Sequence, residues 1–164
     1  MKKMKKFTNL LLSAIMLSTL FMNIAFAAEN PAETDIDVMA LDAVVQEYAP
    51  NINSAARSTT FADATVDVSF SSSGMSITIS TSMTKIASLV GVKDIEIQLK
   101  NGSDWVTVAT STGGELYNTS GCTVALTYTG AIYGEYYRVV CTHYGDVDGY
   151  RELYHETGSM RCIY

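Results

Sequence analysis

Histidine is nearly absent from this chain, with only His143 and His155 among 164 residues. So few imidazoles leave metal binding and acid–base catalysis little to draw on. Neither a glycine-rich phosphate loop nor a serine-nucleophile elbow occurs, so phosphoryl transfer and serine hydrolysis lack their starting motifs. Basic charge is scarce as well. Eleven Lys and Arg face seventeen Asp and Glu, and an acidic surface repels nucleic acid and anionic lipid. Neither is expected as a partner. Proline occurs twice, at Pro31 and Pro50, and tryptophan once, at Trp105.

The N-terminus is the most pointed segment. Lys2, Lys3, Lys5 and Lys6 precede an apolar stretch from Leu10 to Ala27 that closes on Ala25-Phe26-Ala27. A basic start, an apolar middle and a small-residue cleavage site make a secretory signal peptide over residues 1–27. An uncleaved anchor is the rival, but Ser13, Ser18 and Asn23 interrupt the apolar run. The expectation is a secreted, extracellular protein without stable membrane insertion after cleavage. Cleavage leaves 137 residues, with seven Lys and Arg against seventeen acids, a net charge of −10. That length suits one domain with its own core.

Residues 28–57 form an acidic leader that holds both prolines. Thr34-Asp35-Ile36-Asp37 fits a capping box, and Val38, Leu41, Val45 and Tyr48 recur at helical spacing until Pro50 stops them. A short amphipathic helix is predicted there. The segment serves either as a solvated linker or as a pro-segment or docking helix.

From residue 58 to 164 the period changes to two. Val66, Val68 and Phe70 alternate with polar residues, as do Met75, Ile77 and Ile79 after Ser71-Ser72-Ser73-Gly74. Residues 84–91 lose the alternation and read as a turn or one helical turn. Ile95, Ile97 and Leu99 then lead into Asn101-Gly102, a strong hairpin signal, and Trp105-Val106-Thr107-Val108 returns. Cys122, Val124, Leu126 and Tyr128 share one face, as do Tyr137, Val139 and Cys141. Asp146-Val147-Asp148-Gly149 turns the chain into a last strand over about 152–164. About seven short strands and almost no helix predict an all-β, antiparallel sandwich with Trp105, Tyr137 and Val139 in its core.

The run from Ile95 to Val108 resembles the central hairpin of immunoglobulin-like and fibronectin-III-like domains. Gly134-Glu-Tyr-Tyr137-Arg-Val-Val-Cys-Thr-His-Tyr is similar to their penultimate strand, where a corner tyrosine ties the connection to the sheet. The order of these pieces is similar to small secreted Gram-positive bacterial proteins of unassigned function. The resemblance covers about residues 58–164 and implies an immunoglobulin-like architecture. It says little about activity, because that architecture hosts many functions. All three Cys follow Trp105, unlike an antibody-type domain, whose Cys pair brackets the Trp.

Three Cys in an exported chain allow one bridge with one left over. Strand geometry favours Cys122–Cys141, with Cys162 free. The alternative is three reduced, buried thiols. His143, Asp146, Asp148 and His155 surround the last hairpin and are the one set able to supply metal ligands, although Asp and Gly are also what a turn demands. A Cys141–His143 nucleophilic pair is weaker still, since that thiol is predicted buried. No catalytic residue and no cofactor is assigned.

Tyrosine is the remaining unusual feature. Nine of the ten lie between Tyr117 and Tyr164. Tyr128 and Tyr137 fall on predicted inward positions, whereas Tyr133, Tyr136, Tyr144, Tyr150 and Tyr154 are candidates for an exposed recognition surface. Such rings immobilise cheaply and offer both a face and a hydroxyl. Strands also favour Tyr for its own sake. The expected function is a non-catalytic secreted binding module for a protein or a cell-surface glycan. The alternative is a structural or self-assembling exoprotein. A metal-binding protein at the last hairpin is the distant third.

Overall fold

The computed structural model describes residues 37–47 and 60–164. The signal-peptide assignment, residues 1–27, lies outside them, as does most of the acidic leader. Nine strands form one continuous curled sheet, and no helix occurs among the described residues. They are β1 (Met39–Ala40), β2 (Val44–Glu47), β3 (Phe61–Ser71), β4 (Gly74–Asn101), β5 (Asp104–Ser111), β6 (Gly114–Tyr128), β7 (Tyr136–Asp146), β8 (Tyr150–Glu156) and β9 (Met160–Arg161).

β4 organises the fold. At 28 residues it is far longer than an ordinary strand of 3–10 residues, and it runs through most of the sheet. Its first half pairs with β3 and with the second half of β6. Its second half pairs with β5 and β7, and its middle, near Leu89–Val92, lies between β6 and β7. Two irregularities bend it. The β6 register shifts between Ser82 and Ala87, and the β7 register shifts between Lys93 and Glu96, where Asp94 adopts φ 51°. Aspartate tolerates that left-handed conformation better than most residues. Residues 84–91, expected as a turn, are therefore strand. Their broken alternation marks the bulge and bend, where side chains no longer alternate strictly between two faces.

The core lies inside the curl of the sheet. Met75, Ile77, Ile79, Val124, Leu126 and Tyr128 come from the first half of β4 and from β6, and Ile95, Ile97, Val108, Tyr137 and Val139 from the second half of β4, β5 and β7. Each such aliphatic side chain contributes about 1.5–3 kcal/mol when fully buried. Tyr137 packs across the curl, with ring centroids 6.2 Å from Tyr128 and 6.3 Å from Phe70. Its hydroxyl accepts a hydrogen bond from the Ile132 amide at 2.9 Å, which fastens the β6–β7 connection to the sheet. Tyr137 and Val139 are core residues as predicted. Trp105 is not; it is half-buried.

The predicted helix around residues 38–48 does not form within the described part. Leu41, Ala43 and Val45 are half-buried and alternate with exposed Asp42, Val44 and Gln46, a period of two. Leu41 and Val45 satisfy both periods, so the spacing was ambiguous. The edges of β5 and β6 decide it. β1 pairs parallel with β5, and β2 pairs antiparallel with β6. Leu41 N–H donates to Thr110 O at 2.7 Å, and Thr119 Oγ1 donates to Glu47 at 2.8 Å. Backbone groups that a helix would have satisfied internally are satisfied by the sheet instead.

Candidate recognition face

Alternation along β7 and β8 sorts the site residues onto two faces. Tyr137, Val139, Cys141 and His143 point inward. Tyr136, Arg138, Thr142 and Tyr144 face outward beside Tyr150, Glu152, Tyr154 and Glu156, as the register Thr142↔Tyr154, Tyr144↔Glu152 and Asp146↔Tyr150 requires.

On this outer face, aromatic rings alternate with charges. Toward β5, the Arg138 guanidinium lies 4.6 Å from the Trp105 ring centroid and pairs with Glu156. Arg138 Nε donates to Gln98 Oε1 at 2.7 Å, while Gln98 Nε2 and Thr107 Oγ1 both donate to Glu96. Further along β8, Lys93 pairs with Glu152 and lies 5.7 Å from the Tyr144 ring and 5.8 Å from the Tyr150 ring. Tyr150 packs against Tyr144 at 5.9 Å between centroids. Tyr144 and Tyr117 both donate to the Glu115 carboxylate.

These contacts set the charges. Hydrogen bonds from Tyr117 and then Tyr144 hold the Glu115 carboxyl below the ordinary carboxylate range. Lys93, then Tyr150, do the same for Glu152, and that partnership raises Lys93 in turn. Burial, then the hydrogen bond to Glu115, pushes the Tyr144 phenol up. At Glu115, Glu152 and Lys93 each shift favours the charged form.

The five predicted tyrosines separate. Tyr150 and Tyr154 are 46% and 63% exposed, on one face of one strand. Tyr136 shares that face at the far end of β7. Tyr133 stands exposed in the loop before β7. Tyr144 is a correction. At 6% exposure it is a buried floor beneath Tyr150, because β6 supplies Glu115 above it. Gly91 makes that seat possible, since a Cβ there would stand 2.7 Å from the Tyr144 ring and 2.5 Å from the Gly114 carbonyl oxygen. Sequence reasoning missed Trp105, Arg138, Lys93 and Glu115 as site residues. The alternation Arg138/Tyr136 on β7 was legible, but which strand flanks β7 was not.

The predicted metal set divides as well. Asp146 caps its own turn by accepting the Gly149 amide at 3.0 Å, and Asp148 pairs with Lys85. His143 lies on the inward face, where its Nδ1 is 2.7 Å from Thr81 Oγ1 and its Nε2 is 3.3 Å from His155 Nδ1. Among the described residues, no group of three or more His, Cys, Asp and Glu side chains is arranged to hold a metal ion.

Cys141 Sγ lies 3.7 Å from His143 Nε2. Burial pushes this thiol up to about 12 and, with His155 nearby, brings the imidazole down to about 4. Both shifts oppose the thiolate–imidazolium pair that a cysteine nucleophile needs.

The expected Cys122–Cys141 bridge is absent. Cys122, Cys141 and Cys162 are all buried free thiols. The physical reason is topological. β4 lies between β6 and β7, so Cys122 is opposite Thr81 of β4 and Cys141 is opposite His155 of β8.

No family model matches the chain, and no curated protein matches it in sequence. Among solved structures it is similar to a late embryogenesis abundant (LEA) protein in solution, at 16% identity and a TM-score of 0.38, over 62% of this chain and 71% of that one. So loose a likeness carries no argument.

Proposed function

We propose that this protein is a secreted, non-catalytic binding module that recognises a protein or glycan of the cell exterior through the outer face of β5–β4–β7–β8. One observation carries this: half-buried Trp105 and exposed Tyr136, Tyr150 and Tyr154 share one face, interleaved with Arg138, Lys93, Glu152 and Glu156. Rigid rings supply contact area at little entropic cost, and fixed charges supply direction. Because Tyr144, Gln98 and Glu96 brace these side chains from below, the face is ordered before any partner arrives, which lowers the cost of binding. The Tyr137–Ile132 corner bond supports the immunoglobulin-like affinity of the domain. The signal sequence supports export.

A sedimentation assay tests the reading. Labelled protein is mixed with intact bacterial cells, protease-treated cells and purified cell-wall glycan. Retention on at least one of them, falling about tenfold or more in a Tyr150→Ala/Tyr154→Ala variant, is expected of a face that holds the interfacial anchors. Retention unaffected by the double variant, or none on any substrate, would refute it.

A further inference from the structure

We propose that β8 is a self-docking edge: two copies of the chain pair antiparallel, β8 against β8, with Leu153 on the two-fold axis. This does not depend on the binding reading above.

Among the described residues β8 pairs only with β7, and six of its seven side chains are exposed. The Thr157 amide donates to Val139 O, so residues 139 and 157 form a hydrogen-bonded pair. By the alternation of an antiparallel ladder, Arg151, Leu153 and His155 then aim their amides at β7. Those of Tyr150, Glu152, Tyr154 and Glu156 aim at the open side. An open row of donors and acceptors is a template for another strand.

Charge selects the occupant and its register. A two-fold axis normal to the sheet keeps each side chain on its own face, so opposed residue numbers must sum to an even value. Centring on Glu152 sets that carboxylate against itself, and centring on Tyr154 sets Glu152 against Glu156. Both place like charges directly opposite, which destabilises a pair. Centring on Leu153 sets Tyr150 against Glu156 and Glu152 against Tyr154. All four outer-face pairs are then phenol with carboxylate. Leu153, 42% exposed in the monomer, meets its own copy on the other face beside Arg151 opposite His155.

The net negative charge expected of an acidic chain is offset at this edge, so repulsion discriminates between registers without forbidding the pairing. Glu152 and Glu156 are already paired with Lys93 and Arg138, and Arg151 adds a further cation. Among the described residues β3 pairs with β4 alone, and its sequence guards it. β3 carries exposed Asp63 and Asp67 and no cation.

The register gives a sharp test. Leu153 and its copy form a non-hydrogen-bonded pair with Cα atoms about 4.5 Å apart, within disulfide range. Arg151 and its copy are offset by four residues, about 13 Å. The full chain carrying Leu153→Cys or Arg151→Cys is oxidised mildly and run without reductant, beside sedimentation equilibrium of the unaltered chain. The expected result is a concentration-dependent doubling of mass, a covalent dimer from L153C and none from R151C. Leu153→Lys, a surface change checked for fold by circular dichroism, is expected to weaken the dimer at least about tenfold by setting two ammonium groups together. A chain that stays monomeric at all concentrations, or R151C cross-linking as readily as L153C, overturns the proposal.

Discussion

Acidification acts on this fold through one buried side chain. His143 is fully buried and neutral, with its two ring nitrogens engaged by Thr81 and His155. Burial first, and repulsion from His155 second, lowers it from 6.5 to about 4. The unfolded chain therefore binds a proton at this site more readily than the folded one, and stability falls as pH drops below 6.5. The loss continues until about pH 4, where the folded state protonates too. At 1.36 kcal/mol per unit the full effect is about 3 kcal/mol, of which about 2 kcal/mol falls between pH 7 and pH 5. In a domain of this size that is a fall in melting temperature of roughly 8 °C.

The control is a Thr81→Val/His143→Leu double variant. It removes both partners of the hydrogen bond, so neither is left buried and unpaired. Urea denaturation at several pH values across 7 to 5 gives the slope of stability against pH for each protein. The unaltered chain is expected to lose about 2 kcal/mol more than the variant over that interval. Equal slopes would refute the assignment and place the titration elsewhere. The window stops at pH 5 because Glu115 and Glu152, both lowered, lose their stabilising contribution only under more acidic conditions.

Four other outcomes follow from the packing. All three thiols are expected to resist alkylation in the native state and all three to react after denaturation, read by intact mass; one reactive thiol would restore the disulfide. Tyr137→Phe leaves the Ile132 amide without its acceptor and is expected to lower stability by about 1–3 kcal/mol in urea. Gly91→Ala forces a methyl against Tyr144 and the Gly114 carbonyl, at a cost of about 1–3 kcal/mol; a neutral result would mean that the strands separate freely there. Arg138→Ala uncovers Trp105, the one tryptophan in the chain. Its emission should shift while the urea midpoint changes by less than about 1 kcal/mol of stability, as for a partly exposed ion pair.

Much of the fold is legible in the sequence. Alternation located the inward residues of β3, both halves of β4, β6 and β7, because half-buried strands write their burial into a period of two. Met75, Ile77, Ile79, Val124, Tyr128, Tyr137 and Val139 are all in the core. What failed was whatever depended on which strands are neighbours. The Cys122–Cys141 pairing assumed that β6 and β7 are adjacent, and nothing local says that β4 passes between them. Local pattern also could not choose between helix and strand for Leu41 and Val45, since tertiary edges made the choice.

The site was half legible for the same reason. Strand parity put Tyr150 and Tyr154 together on one face, but it could not say that Glu115 from β6 covers Tyr144, or that Arg138 stacks on Trp105 from β5. Strand pattern places Trp105 in the core, whereas the structure leaves it half-buried. A lone Trp beside a hairpin turn can instead bury one ring face under a guanidinium, which satisfies both partners at a sheet surface.

The most direct measurement of the central claim is Trp105 fluorescence during titration of the full chain with solubilised cell-wall glycan fragments, and separately with detergent-free surface-protein extract. Binding on the outer face should change the Trp105 emission saturably with one of the two, and the Tyr150→Ala/Tyr154→Ala variant should weaken that response about tenfold or more. Saturable binding detected by co-sedimentation with no change at Trp105, and with the double variant binding as well as the unaltered chain, would contradict the account and move recognition to another surface.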